Sequence, residues 1–205
     1  MMNFIGSFGA GFGLSLSLNS AIGVQNIILM RQGLQRRYVG RLVVFCSAVD
    51  AVLMTLGVSG LGTLLAALPL FKMVLSYSGA LFLAVYGLLS LRKMLSEPEV
   101  DVEVASSVSA RRVLMTMAGV TLLNPHVYVD TMLLVGTTGA AQPRALHSIF
   151  TVGAVSGSAA WFSLLGYGVR WLRPWLMRPL LWRALDGFTG LLMIGLAVSL
   201  VIHAQ

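Results

Sequence analysis

The chain has 205 residues, of which 57% are hydrophobic and only 10% charged, with a mean hydropathy of +0.86. That balance excludes an ordinary water-soluble domain, which needs a polar exterior, and makes lipid the expected solvent. The net charge of +7 does not indicate a nucleic-acid partner, because twelve of the fourteen basic residues are divided among three loops and have no interleaved aromatic pattern.

Uncharged runs of spanning length predict an all-α integral membrane protein with six transmembrane helices, at roughly 4–28, 42–66, 73–91, 113–135, 147–169 and 185–203. The first run reads as a span and not as a cleaved leader, since no Lys or Arg precedes it. Asn19, Ser20, Gln25 and Asn26 interrupt it, so in a five-span alternative it is the segment that would lie on the membrane or re-enter it. The second run contains Cys46, the only cysteine and an expected buried side chain, and Asp50. Asp50 lies about 12 Å beyond Leu42 at the helical rise of about 1.5 Å per residue, near mid-depth.

After the third run comes a solvated linker, 92–112, holding four of the seven acids (Glu97, Glu99, Asp101, Glu103) with Pro98 and several serines. The fourth run carries Thr121, Asn124, Pro125, His126, Tyr128 and Asp130 within an otherwise apolar helix. The fifth is rich in glycine (Gly153, Gly157, Gly166, Gly168), which lets helices approach closely, and the tryptophans Trp161, Trp171, Trp175 and Trp182 suit a membrane interface. At the start of the sixth, Asp186 stands beside Arg183, where a helix N-terminus favours negative charge.

Charge alternates between the loops. Arg31, Arg36, Arg37 and Arg41 fall in the first, Arg92, Lys93, Arg111 and Arg112 in the third, and Arg170, Arg173, Arg178 and Arg183 in the fifth; the second has only Lys72 and the fourth only Arg144. The positive-inside rule then places loops one, three and five in the cytoplasm and both termini in the periplasm, as an even number of spans requires. Three spans on each side of the linker oblige the second half to enter the membrane in the opposite sense to the first. The expected organisation is one transmembrane domain, 1–205, made of a three-helix repeat at 1–91, the cytoplasmic linker at 92–112 and an inverted three-helix repeat at 113–205.

A carboxylate near the bilayer centre costs about 2.5 to 3.5 kcal/mol on insertion scales, so Asp50 and Asp130 are candidate site residues, the alternative being that each pairs with a neighbouring helix and fixes packing. Pro125 removes a backbone donor and crowds the preceding turn, freeing carbonyls for a ligand, an ion or water. Taken singly, Pro125 reads as a kink and His126 as a packed imidazole, but Asn124, Pro125, Tyr128 and Asp130 together gather several desolvated polar groups within two turns. Gly23, Gln25 and Asn26 form a smaller interruption of the same kind. His126, His147 and His203 are far apart and lack the company of metal-ligand spacing, so no metal is expected, and the absence of a phosphate-binding glycine loop predicts no nucleotide cofactor.

Three stretches carry a family resemblance: Gly23-Val24-Gln25-Asn26 followed by Arg31-Gln32-Gly33, Ser47-Ala48-Val49-Asp50, and Asn124-Pro125-His126-Val127-Tyr128-Val129-Asp130-Thr131. Over nearly its whole length the chain resembles the LysE superfamily of amino-acid exporters, in its lysine/arginine exporter (ArgO-like) branch. It departs from that pattern at Val24, where the family usually has a proline, and at Ala21, near which it often has another. The resemblance implies a bacterial inner-membrane exporter of arginine, lysine or a close analogue, not an enzyme, with Asp50 and Asp130 important for transport.

Export of a cation against an inside-negative potential, about 2.3 kcal/mol per 100 mV, needs a coupled driver, and the expected one is a proton exchanged on Asp50. Asp130, Asn124 and Tyr128 are then the expected substrate ligands, with Pro125, Gln25 and Asn26 completing the site. Other functional readings are a non-transporting membrane scaffold, which would tolerate Asp-to-Asn changes, an exporter of a different amino acid or small solute, and a membrane-embedded enzyme, for which the sequence offers no nucleophile or metal set. Homo-oligomerisation fits a bundle this small, without a number of subunits being fixed.

Overall fold

A computed structural model describes residues 4–20, 23–60, 69–95, 109–172 and 179–203. Long apolar runs poor in proline become helices, and no strand occurs among the described residues. In chain order the helices are α1 (Phe4–Asn19), α2 (Val24–Leu34), α3 (Val39–Val58), α4 (Pro69–Leu95), α5 (Ala110–Leu122), α6 (Pro125–Tyr128), a π-helical segment (Val129–Leu134), α7 (Val135–Ala140), α8 (His147–Gly168) and α9 (Pro179–His203). Short 3-10 turns, Arg144–Leu146 and Val169–Leu172, flank α8. By length and hydropathy α3 and the stretch Arg144–Trp171 can each cross a membrane, and α1 with α2 makes a third crossing if the bent pair is one span.

The first and fourth expected spans are each interrupted. α1 and α2 diverge by 84°, and α5 stops at Leu122 before the chain restarts at Pro125. Pro125 therefore opens a helical turn, where its missing N–H costs nothing, and does not kink a continuous helix. The ends also move outward. α2 continues to Leu34 and takes in Arg31, α4 takes in Arg92, and α5 starts at Ala110, with the Ser109 hydroxyl accepting from the Arg112 N–H at 3.3 Å, so that Arg111 and Arg112 belong to its first turn. Basic side chains at helix ends can reach back to the interface, which hides such extensions from a count of uncharged residues. α9 likewise begins at Pro179, so Asp186 lies well inside it, and instead of capping the helix it forms an ion pair with Arg31 of α2. The linker residues 96–108 fall outside the described residues.

Small residues decide which helices touch. A side chain added at Gly153 or Gly157 of α8 would strike the backbone of Phe8 or Phe12 of α1, and one at Gly11 would strike Phe150 and Ala154. The order of these contacts makes α1 and α8 run parallel. Gly57 of α3 meets Met132 and Gly136 in the same backbone-to-backbone manner, and Gly139 meets Val58, so α3 runs parallel to α7. α3 and α8 are antiparallel, with Val43 near Gly166 and Asp50 bonded to Ser158, and α4 and α9 are antiparallel through Gly87, Leu91 and Met94 against Ile194, Gly190 and Gly187.

Two apolar clusters fill the interior. One is built around Leu29, Leu42, Cys46, Met117, Phe162 and Met193, the other around Met54, Val58, Val135, Phe150 and Ala154. Outward faces are apolar too: on α3, Val44 and Val52 are 68% and 58% exposed, and Leu81, Leu164 and Leu191 are similarly bare. Apolar surface on this scale suits contact with lipid.

Candidate functional site

Asp50 occupies the layer between the two apolar clusters. One turn before it is Cys46 of the first cluster, and one turn after it Met54 of the second. Its residue is 2% exposed. The Ser158 hydroxyl of α8 donates to Oδ2 at 2.6 Å and the Asn19 amide of α1 donates to the same oxygen at 3.4 Å. No Lys or Arg pairs with Asp50 among the described residues. A carboxylate held this way has an oriented acceptor and no fixed counter-ion, which is what a site for a mobile cation requires.

A cavity of about 50 Å³ lies beside this carboxylate. Its polar lining comes from Ser15 and Asn19 at the end of α1, Gln25 at the start of α2, Asp50, and Asp130 and Thr131 in the π-helical segment. The side chain of Gln25 lies at this wall, close to the Cys46 thiol of α3. Both helix breaks thus deliver their polar groups to one space. π-Helical turns widen the backbone locally and recur at functional sites, and here the widened turn carries Asp130, with the Thr131 hydroxyl donating back to the Val127 carbonyl at 2.5 Å. The volume suits on the order of three water molecules and is too small for an amino acid.

Of the residues expected from sequence, Asp50, Asp130 and Gln25 line the cavity, and Asn26, Asn124 and Tyr128 are not part of its lining. Asn26 is buried, and its amide donates to the Asn19 carbonyl at 3.0 Å, tying α2 to the end of α1. Tyr128 donates its hydroxyl to the Leu122 carbonyl at 2.7 Å, tying the restarted helix to the end of α5. Asn124 lies in the break itself, its carbonyl accepting from the Val127 N–H at 3.1 Å. The side chains of Pro125 and His126 fall outside the described set. Ser15, Asn19, Thr131 and Ser158 are additions from the structure. Asn19 was visible as a polar interruption, but nothing marks Ser158, 108 positions from Asp50, as its partner. No cluster of three or more potential metal ligands occurs among the described residues.

Broken helices around a buried, cation-free carboxylate, with apolar faces outside, define a helical membrane transporter. The chain belongs to the LysE type translocator family, whose pattern matches residues 16–204. Among its relatives are the "Putative amino-acid transporter YggA" of Aeromonas salmonicida, 37% identical over 95% of this chain and 95% of the relative, and the "Arginine exporter protein ArgO" of Serratia proteamaculans, 35% identical over 93% of each. The ArgO protein of Pectobacterium carotovorum is 33% identical over 89% of this chain and 90% of its own length. No solved structure matches the chain.

Proposed function

We propose that this amino-acid transporter exports arginine, lysine or a close cationic analogue from the bacterial cytoplasm in exchange for protons. The observation that carries the reading is the convergence of Asp50 and Asp130 on one cavity, with Asp50 lacking any cationic partner among the described residues. A guanidinium or ammonium group supplies the missing charge when the cavity opens, and a proton replaces it on the return. Asp50 carries the proton, Asp130 with Gln25 meets the substrate, and Asn26, Asn124, Pro125 and Tyr128 build the helix breaks that hold these groups in place.

In this reading α1 with α2, α3, α4, α5 to α7, α8 and α9 make six crossings, with both termini in the periplasm. Residues 1–91 and 113–205 are inverted three-helix repeats joined by the cytoplasmic linker 92–112. Contact symmetry supports this arrangement. The second piece of each broken helix sets a glycine against a glycine of the other half's next helix, Gly33 against Gly166 and Gly136 against Gly57.

The test is efflux of labelled arginine and lysine from preloaded proteoliposomes, with and without an imposed pH gradient. Gradient-driven efflux that is lost in Asp50→Asn and in Asp130→Asn is the expected result. Undiminished uphill export by a folded Asp50→Asn variant sinks the proton role, and failure of the native chain to move either substrate sinks the cation assignment.

A further inference from the structure

A second concavity, of about 660 Å³, lies between the turn joining α2 to α3 and the end of α8. Its chemistry is opposite to that of the carboxylate cavity. Arg36, Arg41 and Arg170 line it, together with Tyr38, Tyr167 and Trp171, and no Asp or Glu does. None of the three arginines makes an ion pair among the described residues. Such a pocket repels arginine and lysine, so it is not an antechamber that stores the substrate.

The turn is shaped to present these groups. Arg36 and Tyr38 both adopt left-handed backbone conformations, with φ of 54° and 55°, unusual for side-chain-bearing residues and retained only where the surroundings demand them. The Tyr38 ring is flanked by the guanidinium groups of Arg37 and Arg41, whose central carbons stand 5.5 and 5.8 Å from its centroid. Arg170 arrives from the other side, from the 3-10 turn after α8. Two separate segments therefore bring guanidinium groups to one concave face.

An apolar stripe leads into the pocket. Leu164, Tyr167 and Trp171 follow one another at spacings of three and four along α8 and the turn beyond it, and are 61%, 45% and 77% exposed. A cationic hollow joined to a lipid-facing apolar strip, with tyrosine and tryptophan at the junction, matches an anionic head attached to acyl chains. We propose that this pocket binds the phosphodiester headgroup of an anionic glycerophospholipid, with the acyl chains lying along the Leu164 face of α8.

The experiment uses the full chain purified in neutral detergent, titrated with phosphatidylglycerol, phosphatidylcholine or inorganic phosphate, with bound lipid counted by native mass spectrometry and stability followed by thermal unfolding. Phosphatidylglycerol is expected to bind and to raise Tm, with phosphatidylcholine at least tenfold weaker and phosphate without effect. The Arg36→Gln/Arg41→Gln/Arg170→Gln variant is expected to lose at least tenfold in phosphatidylglycerol affinity. Arg144→Gln, at the opposite end of α8, is expected to bind as the native chain does. Equal binding of the two lipids, stabilisation by phosphate alone, or full binding by the triple variant overturns the proposal. Should the triple variant not fold, Arg170→Gln and Trp171→Ala measured singly decide the matter, each expected to weaken phosphatidylglycerol and to leave phosphatidylcholine unchanged; native affinity in both overturns it.

Discussion

Asn26 and Tyr128 make matching bonds: each lies just past a helix break and donates a side-chain hydrogen bond back to a carbonyl at the end of the preceding helix, Asn19 in one case and Leu122 in the other. Carbonyls at a helix end have no intrahelical partner, and in lipid there is no bulk water to satisfy them. Each bond ties the two pieces of a broken helix together, and the polar groups facing the cavity are those of Ser15, Asn19, Gln25, Asp50, Asp130 and Thr131.

Tyr128→Phe separates that structural role from substrate binding. Loss of the hydroxyl leaves the Leu122 carbonyl without its donor and is expected to cost about 1 kcal/mol of stability. KM for the exported amino acid should stay within about twofold of the native value, because the substitution changes no group on the cavity wall; the check is Tm beside a KM and Vmax determination. A KM raised tenfold at unchanged Tm would make the hydroxyl a substrate ligand.

Ser158→Ala removes the shorter of the two hydrogen bonds to Asp50. Hydrogen bonds to charged groups contribute about 1.5 to 3 kcal/mol, so exchange is expected to slow by on the order of tenfold or more while the bundle stays assembled. Steady-state exchange of labelled substrate across proteoliposomes, with the pH dependence recorded for both proteins, is the measurement. Ser158→Thr keeps the hydroxyl and is expected to restore part of the rate if the extra methyl is accommodated.

Gly136→Leu should be far more damaging than Gly9→Leu. Even the first carbon added at Gly136 would come within 2.7 Å of Gly57 backbone atoms, which have nowhere to go, whereas at Gly9 nothing lies within 4 Å. Overpacking typically costs about 1 to 3 kcal/mol, and a helix pair held backbone to backbone stands at the upper end or beyond. Thermal unfolding of the two variants in the same detergent tests the contrast, and equal Tm values would contradict the packing described.

Arg31 and Asp186 form a partly buried ion pair, with side chains 29% and 14% exposed. Removing either charge breaks the ion pair, so Arg31→Ala and Asp186→Ala are each expected to destabilise by about 1 to 3 kcal/mol after allowance for solvent screening. The double substitution is expected to cost less than the sum of the singles, with a coupling of about 1 kcal/mol in a double-mutant cycle on unfolding free energies. Strict additivity would mean that the pair contributes nothing to the fold.

Legibility from sequence follows the cost of burying each group. Asp50, Asp130 and Gln25 stood out because charge and amide are rare in apolar runs, and all three reach the cavity. Ser158 did not stand out, since a serine is unremarkable in a membrane helix and its partner lies on another element. The π-helical segment has no composition of its own: Val129–Leu134 reads as ordinary apolar helix apart from Asp130. The helices run beyond the uncharged runs at ends that carry arginine, as at Arg31 and Arg92, because a basic side chain closes an apolar run without ending the helix. Asn124 and Pro125 announced a break in the fourth run but not its form, because proline permits both a kinked helix and a restarted one, and the choice is made by tertiary contacts such as Gly136 against Gly57.

The water-sized volume beside Asp50 bears on how a cargo could enter. A space of about 50 Å³ holds water but not an amino acid, so a molecule with this geometry carries no cargo beside Asp50. Taking up an amino acid there requires the surrounding helices to part, and the helices concerned are α1, α2, α3 and the π-helical segment, which supply the lining.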